Sequence, residues 1–274
     1  MFDIQDIGCR FYTYVSTMGL AMQAAAAHGK RFVVLDRPNP IDGTVVEGPV
    51  LDAGRESFVG WHTVPVRHGM TPGELARMFA AEKDIDCALT VVPLRGWDGR
   101  PPFDQCGLEW TDPSPNMRSL TAAYLYPAVG LLEFTNISVG RGTDTPFSVL
   151  GAPWLDGAAL ARRLHAERLP GVTFVPIRFT PSASTFAGQS CRGIRIEIVD
   201  RAAYRATPLA LALAGALRAQ HPDDWRHEGY RKLLLDDATF AAIVAGKPWR
   251  EVAALHEAEL AEFGERRARC LLYR

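Results

Sequence analysis

The sequence has no hydrophobic run that is long enough to cross a membrane. Its longest apolar stretches, such as residues 209–217, fall far short of the roughly 20 residues that span a bilayer. The first residues also lack the basic segment and apolar core of a secretory signal. We therefore expect no membrane partner and a cytoplasmic location for the chain as given, with export only if a missing N-terminal segment carries a signal.

Cysteine is scarce, and neither sign of charge dominates. The five cysteines are scattered, odd in number and without a CxxC pair, which argues against a structural zinc site and a dense disulfide framework. Thirty basic residues against thirty-one acidic ones give a formal net charge of -1. This balance provides no bulk attraction to nucleic acid, so no nucleic-acid partner is expected.

The sequence also lacks several motifs that mark well-known active sites. No GxGxxG motif or P-loop is present, which argues against a classical dinucleotide or nucleoside triphosphate site. The Gly-x-Ser-x-Gly elbow of a serine triad is missing as well. Metal binding by Asp3, Asp6, Asp36 and His68 has no ligand spacing to support it. We predict no cofactor and no metal. A metal-dependent hydrolase remains an alternative, and it predicts that a chelator abolishes activity.

What is present is the strand and helix rhythm of a parallel sheet with crossover helices. The pattern predicts a helix over 13–27 and strands over 31–36 and 88–94, the last one buried. Thr71-Pro72-Gly73-Glu74 has the spacing of a capping box with proline at the first helical position, which predicts a helix to about Glu82. The pattern therefore predicts an α/β domain for the first part of the chain.

The residue pattern changes near Trp154, where we place a domain boundary. A chain of 274 residues with 47% hydrophobic content is long enough for roughly two domains. The predicted domains cover 1–154 and 155–274, the second of them α+β. Its predicted helices cover 156–168, 207–219, 237–245 and 248–269, and its predicted strands cover 172–179 and 194–198.

A polar stretch from Glu133 to Phe147 follows the apolar run 126–132. A short apolar run bounded by proline and glycine predicts a buried strand, so the polar side chains should lie at the sheet edge where open α/β sheets bind ligands. Gly140 and Gly142 flank Arg141 and allow a sharp turn close to a ligand. The stretch suits a polyhydroxylated or carboxylated small molecule, although the same residue types also build ordinary turns.

Charged and aromatic side chains crowd the junction before the first helix. They are Asp3, Asp6, Arg10, Tyr12 and Tyr14. A carboxylate there can act as a general acid or base if burial raises its pKa. The alternatives are a helix-capping aspartate, a partly buried ion pair with Arg10, and tyrosines that belong to the core or its rim.

Three arginines and one histidine stand at further predicted strand ends. Guanidinium groups bind carboxylates with two parallel hydrogen bonds, so Arg37, Arg67 or Arg141 can hold an anionic substrate group, while each can also be structural. His68 can shuttle a proton or serve only a structural role. Remaining carboxylates in loop-edge settings are Glu47 and Glu133. Residues 95–116 have no helical or strand period and are interpreted as a cleft-lining loop.

Eight blocks of sequence, in consistent order, carry a family resemblance. They are Phe2–Gly8, Arg10–Tyr14, Asp36–Pro40, Arg67–Thr71, Pro113–Met117, Thr135–Asn136, Gly140–Thr143 and Gly151–Trp154. Together they resemble the peptidoglycan exo-β-N-acetylmuramidase family of the NamZ type, and the resemblance extends to the end at Tyr273. Eight ordered blocks are far more specific than any one of them.

The resemblance implies a Rossmann-like parallel-sheet domain fused to a smaller C-terminal domain. It also implies a hydrolase that removes N-acetylmuramic acid from the non-reducing end of peptidoglycan fragments during cell-wall turnover, with muramyl saccharides as its partners. The substrate-binding residues that it suggests are Asp3, Gln5, Asp6, Arg10, Tyr12, Tyr14, Arg37, Asn39, His68, Asn116, Asn136 and Arg141. Our own hypothesis is that Arg141 binds the lactyl carboxylate of muramic acid.

The sequence departs from the family pattern in one respect. Family members carry a longer N-terminal portion with a Glu-His-Gly motif, whose glutamate is the expected acid catalyst, and no Glu-His-Gly occurs here. We therefore expect that the first strands are missing, assign no catalytic acid, and keep Asp6 and Glu133 as candidates. The alternative function is a non-catalytic sugar-binding remnant. Missing strands would also expose a sheet edge and favour a homo-oligomer.

Overall fold

The computed structural model describes residues 1–273. In chain order the elements are α1 (Tyr14–Ala27), β1 (Arg31–Leu35), β2 (Glu47–Val50), β3 (Pro65–Arg67), α2 (Pro72–Glu82), β4 (Ala88–Val92), α3 (Leu120–Val129), β5 (Val149–Ala152), α4 (Gly157–Ala166), β6 (Val172–Phe179), β7 (Cys191–Ile198), α5 (Ala206–Gln220), α6 (Arg231–Leu234), α7 (Asp237–Val244), α8 (Trp249–Ala254) and α9 (Glu257–Ala268). No helix within these residues is both long and apolar enough to traverse a bilayer.

The chain divides into two compact units. The first joins Met1–Pro113 with the segment from Ala258 onward, and the second is Ser114–Glu257. These limits differ from the boundary near Trp154 that the change in residue pattern suggests. The α/β class is confirmed, because the first unit contains a parallel strand pair with helices and the second an antiparallel sheet with helices.

The first unit is built on the parallel pair of β1 and β4. Arg31 lies opposite Ala88 and Leu35 opposite Val92, and Phe2 forms a further parallel bridge to Val34. The buried side chains of α1, α2 and β1 share one core, which also includes Phe263 of α9. The predicted helices over 13–27 and from the Thr71 capping box are confirmed, since Thr71 and Glu74 cap each other as expected.

Two expectations for the first unit are wrong. The sequence predicts a buried strand for β4, but its side chains alternate between exposed and half-buried positions, and Val92 is 45% exposed. Among residues 1–273, β4 pairs only with β1, so its other edge has no strand partner. The sequence also predicts a loop-edge setting for Glu47, but Glu47 begins β2 and pairs directly across the ladder with Arg67, which ends β3.

The second unit contains a three-stranded antiparallel sheet in the order β5-β7-β6. Leu150 pairs with Ile194, and Phe174 pairs with Ile196, so the apolar faces of the strands point to the same side. Helix α5 lies against α3 and α4 and is buried along most of its length. The predicted strands over 172–179 and 194–198 and the helix over 207–219 are therefore confirmed.

The apolar run 126–132 is helical, which corrects the prediction of a strand. Helix α3 includes Pro127 and continues into a 3₁₀ turn over Gly130–Leu132. Nearly every residue of this run is buried, so hydrophobic periodicity contained no information that separates a strand from a helix. The prediction of a single helix over 248–269 is also wrong, since the helix is interrupted around His256, between α8 and α9.

His256 makes the stability of the second unit depend on pH. Burial lowers the pKa of its imidazole from 6.5 to about 4, and the ring lies 2.8 Å from the Thr239 hydroxyl. The unfolded chain therefore binds more protons than the folded chain between these two values. The contribution of the neutral imidazole to the free energy of unfolding is fully present above the unfolded pKa. The free energy of unfolding then falls by about 2–3 kcal/mol as the pH drops towards the folded pKa.

Urea unfolding between neutral and acidic pH tests this expectation. Other groups titrate in the same range, so the informative quantity is the difference between the wild-type chain and His256→Gln. We expect the difference to shrink as pH falls, because the variant has no imidazole to protonate. Parallel stability curves for the two proteins would contradict it.

Candidate functional site

Asp36 organises the carboxyl end of β1. Its Oδ1 accepts from the backbone N–H groups of Arg37 at 3.0 Å and Gly73 at 2.7 Å. Its Oδ2 accepts from the hydroxyls of Thr71 at 2.7 Å and Tyr273 at 2.6 Å. Burial raises the pKa of this carboxyl, although each hydrogen bond opposes the shift. Asp36 therefore joins three segments that are distant in sequence and holds the loop after β1 in place.

Sequence reasoning missed the part played by the C-terminal tail. Besides the Tyr273 hydroxyl on Asp36, the backbone N–H of Leu272 donates to Glu74 Oε1 at 2.9 Å. Burial raises the pKa of Glu74, the acid that completes the capping box of α2. The only sequence signal for this role was the family resemblance near Tyr273, because no local pattern predicts contacts over such a distance.

Arg37 and Asp3 form an accessible ion pair next to Asp36. Both Nε and Nη2 of Arg37 contact Asp3 Oδ1, at 2.8 and 2.7 Å. The two side chains are 39% and 44% exposed. An exposed pair of this type contributes little to stability, but its guanidinium remains within reach of a ligand. The structure thus brings together two of the residues suggested by the resemblance.

Asp6 and His68 form a second, fully buried pair. Asp6 Oδ2 accepts from the Gly8 backbone at 2.7 Å and lies 3.5 Å from His68 Nε2. His68 Nδ1 accepts from the Met70 backbone at 3.2 Å, so the neutral ring carries its proton on Nε2, facing Asp6. Among residues 1–273, Asp6 Oδ1 and His68 Nε2 have no hydrogen-bond partner. Buried polar atoms with unused capacity are typical of sites that bind or react.

Gln5 and Asn39 hold the segments around this pair together. Gln5 Nε2 donates to the carbonyl oxygens of Asp6 at 2.6 Å and Pro38 at 2.9 Å. The buried Asn39 donates to the Met70 carbonyl and accepts from the Ile41 backbone, each at 3.1 Å. Hydrogen bonds of this kind fix the loops that carry Asp6 and His68.

Gly8 is required at its position in this cluster. Its φ of +79° lies in the left-handed region, and a Cβ atom there would lie 2.5 Å from Asn39 Oδ1. Any other residue would therefore displace Asn39 and with it the loop that follows β1.

Arg10, Tyr12 and Tyr14 lie mainly inside the first unit. Arg10 is 1% exposed, and its Nη1 donates to the carbonyl oxygens of Pro49 at 3.0 Å and Val64 at 2.9 Å. Tyr12 is also buried and packs edge-on against Tyr14, with ring centroids 4.9 Å apart. These contacts support the junction before α1, and a substrate-binding role for Arg10 stays a prediction.

Arg67 is inaccessible, which removes it from the three arginines considered as anion-binding groups. Its Nη1 donates to Glu47 Oε1 at 2.6 Å, and its Nη2 donates to the Ile41 carbonyl. Arg67 and Glu47 are only 3% and 7% exposed. Both therefore belong to the structural contact between β2 and β3.

In the second unit, Arg141 and Glu133 form an arginine–carboxylate ion pair, as Arg37 and Asp3 do in the first unit. Arg141 Nε donates to Glu133 Oε1, and the Tyr126 hydroxyl lies 3.4 Å from Glu133 Oε2. The Arg141 guanidinium lies 5.2 Å from the centre of the Phe147 ring. One third of the Arg141 side chain is exposed, at 33%. The carboxylate and the ring thus fix the direction in which the guanidinium points.

The glycines beside Arg141 make the sharp turn that the sequence predicts. Gly140 and Gly142 both have φ of +79°. The carbonyl of Gly142 accepts from the backbone N–H and hydroxyl of Ser182, at 2.9 and 2.8 Å, and a Cβ on Gly142 would lie 2.4 Å from the Ala183 nitrogen. The loop between β6 and β7 therefore clamps the turn that carries Arg141.

Two of the three asparagines suggested by the resemblance, Asn116 and Asn136, lie in the second unit. Asn136 donates to the Asp224 carbonyl and accepts from the Arg226 backbone, each at 2.8 Å, so its amide ties two segments together. Asn116 is half-buried and belongs to the turn that closes from Met117 to Ser114 before α3. Within residues 1–273, no cluster of His, Cys, Asp or Glu side chains is arranged to hold a metal ion.

Comparisons with known proteins agree over the whole chain. Residues 1–121 match the family described as exo-beta-N-acetylmuramidase NamZ, N-terminal, and residues 124–273 match the corresponding C-terminal family. A curated relative, the peptidoglycan beta-N-acetylmuramidase NamZ of Bacillus subtilis (strain 168), is 41% identical over 276 residues, an alignment that covers 100% of this chain and 67% of the relative.

Two crystal structures of DUF1343 family proteins from Bacteroides fragilis NCTC 9343 have the same fold. One is 33% identical with a TM-score of 0.91, covering 99% of this chain and 73% of the other chain. The second is 30% identical with a TM-score of 0.80, covering 99% and 74%. The fold and the family matches identify a two-domain α/β enzyme of the glycoside hydrolase class. The chain belongs to the NamZ family of exo-β-N-acetylmuramidases, as the eight sequence blocks predict.

Proposed function

We propose that this protein releases N-acetylmuramic acid from the non-reducing end of peptidoglycan fragments. The observation that carries the proposal is the match of both halves of the chain to the N- and C-terminal families of one enzyme. The accessible ion pair Arg37–Asp3 and the buried pair Asp6–His68 supply the chemistry expected of a site for an acidic sugar.

The roles of these residues follow from their surroundings. Arg37 and Arg141 are each partly exposed and each held by a carboxylate, which presents the guanidinium in a fixed direction. Asp6 is buried next to the Nε2–H of His68 and keeps one oxygen without a partner among residues 1–273, so it suits proton transfer or binding of a sugar hydroxyl. Glu133 accepts from Arg141 and Tyr126, and its role is to orient the arginine.

A sugar-binding function without catalysis is the second candidate. The sequence contains no Glu-His-Gly, so the acid expected from the family pattern has no counterpart among these residues. Incubation with a chromogenic N-acetylmuramide separates the two functions. Release of the aglycone supports the hydrolase, whereas saturable binding of N-acetylmuramic acid without turnover supports the binding protein.

Arg141 is expected to determine the preference for muramyl over glucosaminyl sugars. The two sugars differ by the lactyl carboxylate, and a guanidinium that pairs with it favours the muramyl ligand by about 1.5–3 kcal/mol. Arg141→Ala should therefore reduce the ratio of the two affinities about tenfold or more. The measurement is titration of both sugars into wild-type and variant protein.

Arg231→Ala is the matched control for this experiment. Arg231 lies in the same unit, forms an exposed ion pair with Asp237 at 2.6 Å and is 46% exposed, but it is outside the suggested binding residues. Its loss should leave the preference unchanged. If Arg141→Ala keeps the wild-type ratio, another residue recognises the lactyl group, and Arg37 becomes the next candidate.

A further inference from the structure

A cavity of about 390 Å³ lies within the second unit, away from the residues discussed above. Residues of helices α4 and α5 and of the turn between α7 and α8 line it on one side, and it is open to solvent on the other. Small residues of α5 form its floor, and three cationic side chains lie along its lining: Arg163, Arg218 and Lys247. None of the suggested substrate-binding residues lines this cavity.

Gly215 opens the floor of the cavity. It lies inside α5 with an ordinary helical backbone, and a Cβ atom built on it would meet no atom within 4 Å. A glycine inside a helix costs about 0.5–1 kcal/mol relative to alanine. No steric contact in the described chain requires glycine here, so the only effect of the missing side chain is to enlarge the cavity. Ala212, Ala216 and Ala219 of the same helix add further short apolar side chains to the lining.

The lining carries more positive than negative charge. Its one carboxylate, Glu167, already accepts from Arg163 Nη2 at 3.3 Å and from the Trp249 indole N–H at 3.2 Å. Arg218 Nη1 donates to the Pro222 carbonyl at 3.3 Å, but the buried Arg218 Nε has no partner among residues 1–273. Buried donors are normally satisfied, so this unused donor beside two further cations favours an anionic ligand.

We propose that this cavity binds a small carboxylate whose remaining groups are short and apolar, such as the carboxyl-terminal end of a peptide with small side chains. The carboxylate pairs with the cations of the lining, and methyl-sized groups lie on the alanine and glycine floor. The proposal is independent of hydrolase activity, because the cavity shares no residue with the candidate site.

The test is an NMR titration of the isotope-labelled full chain with N-acetyl-alanyl-alanine and, separately, with its C-terminal amide. We expect the acid to bind saturably and to shift the backbone signals of Gly215 and Trp249. The neutral amide should bind at least about tenfold more weakly, since it lacks the charge that the arginines recognise. Arg218→Gln should weaken binding of the acid by a similar factor.

Gly215→Leu and Gly264→Leu form a matched pair of variants. Each glycine lies inside a helix, and a Cβ atom at either position meets nothing within 4 Å, so both variants are expected to fold. Only Gly215→Leu fills the cavity and should abolish binding, whereas Gly264→Leu should bind like the wild-type chain. The proposal is overturned if the wild-type chain does not bind the acid, if acid and amide bind equally, or if Gly215→Leu retains full affinity.

Discussion

Replacing Glu47 by alanine is expected to lower the free energy of unfolding by about 3–5 kcal/mol. Glu47 and Arg67 pair at 2.6 Å directly across β2 and β3, and both are almost completely buried. Removal of the carboxylate leaves a buried guanidinium without its counter-charge, and the cost of burying that charge is then uncompensated. Urea unfolding of the purified variant measures the loss.

The double variant Glu47→Leu with Arg67→Met is the control for that prediction. It removes both charges together and replaces them with apolar groups of similar size, so it should be much closer to wild type than Glu47→Ala. A Glu47→Ala protein within about 1 kcal/mol of wild type would show that the pair is solvated. The result bears on the site as well, because His68 directly follows Arg67 and depends on β3 for its position beside Asp6.

Replacing Asp6 by asparagine is expected to reduce turnover of a chromogenic N-acetylmuramide by about a hundredfold or more, the effect of losing one acid or base group. Asparagine keeps the size of the side chain and an oxygen to accept from the Gly8 backbone. It loses the negative charge and the ability to transfer a proton next to His68. Steady-state kinetics should therefore show a lower kcat with a smaller change in KM.

Asp42→Asn is the matched variant in the same unit. Asp42 accepts from the backbone and hydroxyl of Thr44, both at 2.7 Å, and its φ of +85° is one that asparagine tolerates. We expect wild-type kinetics for this variant. Equal activities of Asp6→Asn and wild type would remove Asp6 as the reacting acid, and a wild-type chain that binds N-acetylmuramic acid without turnover would favour the sugar-binding alternative.

Local patterns in the sequence predicted the elements that local physics controls. The capping box at Thr71 and Glu74, the strand at Arg31–Leu35 and the left-handed glycines around Arg141 depend on neighbouring residues, and the structure confirms all of them. The prediction of a strand over 126–132 failed because burial there is complete on every side. Residues 126–132 are apolar throughout, and such a run fits a buried strand as well as a buried helix.

The same distinction between local and long-range interactions applies to the candidate site. The sequence identified Asp3, Asp6, Arg37 and His68 as chemically suitable side chains. It gave no means to predict that Asp6 would lie 3.5 Å from His68 or that Arg37 would pair with Asp3, because each contact joins segments that are far apart along the chain. Arg67 has the same chemistry as Arg37, yet one is buried and the other accessible.

The sequence by itself therefore determined the family, the α/β class and most helices and strands, since these follow from ordered motifs and from short-range preferences of the backbone. Only the tertiary structure decided which charged side chains are accessible, which are neutralised by a partner, and that the C-terminal Tyr273 supports Asp36. The physical reason is that burial and charge pairing depend on distant parts of the chain, and the energy of a buried charge depends on its surroundings more than on its residue type.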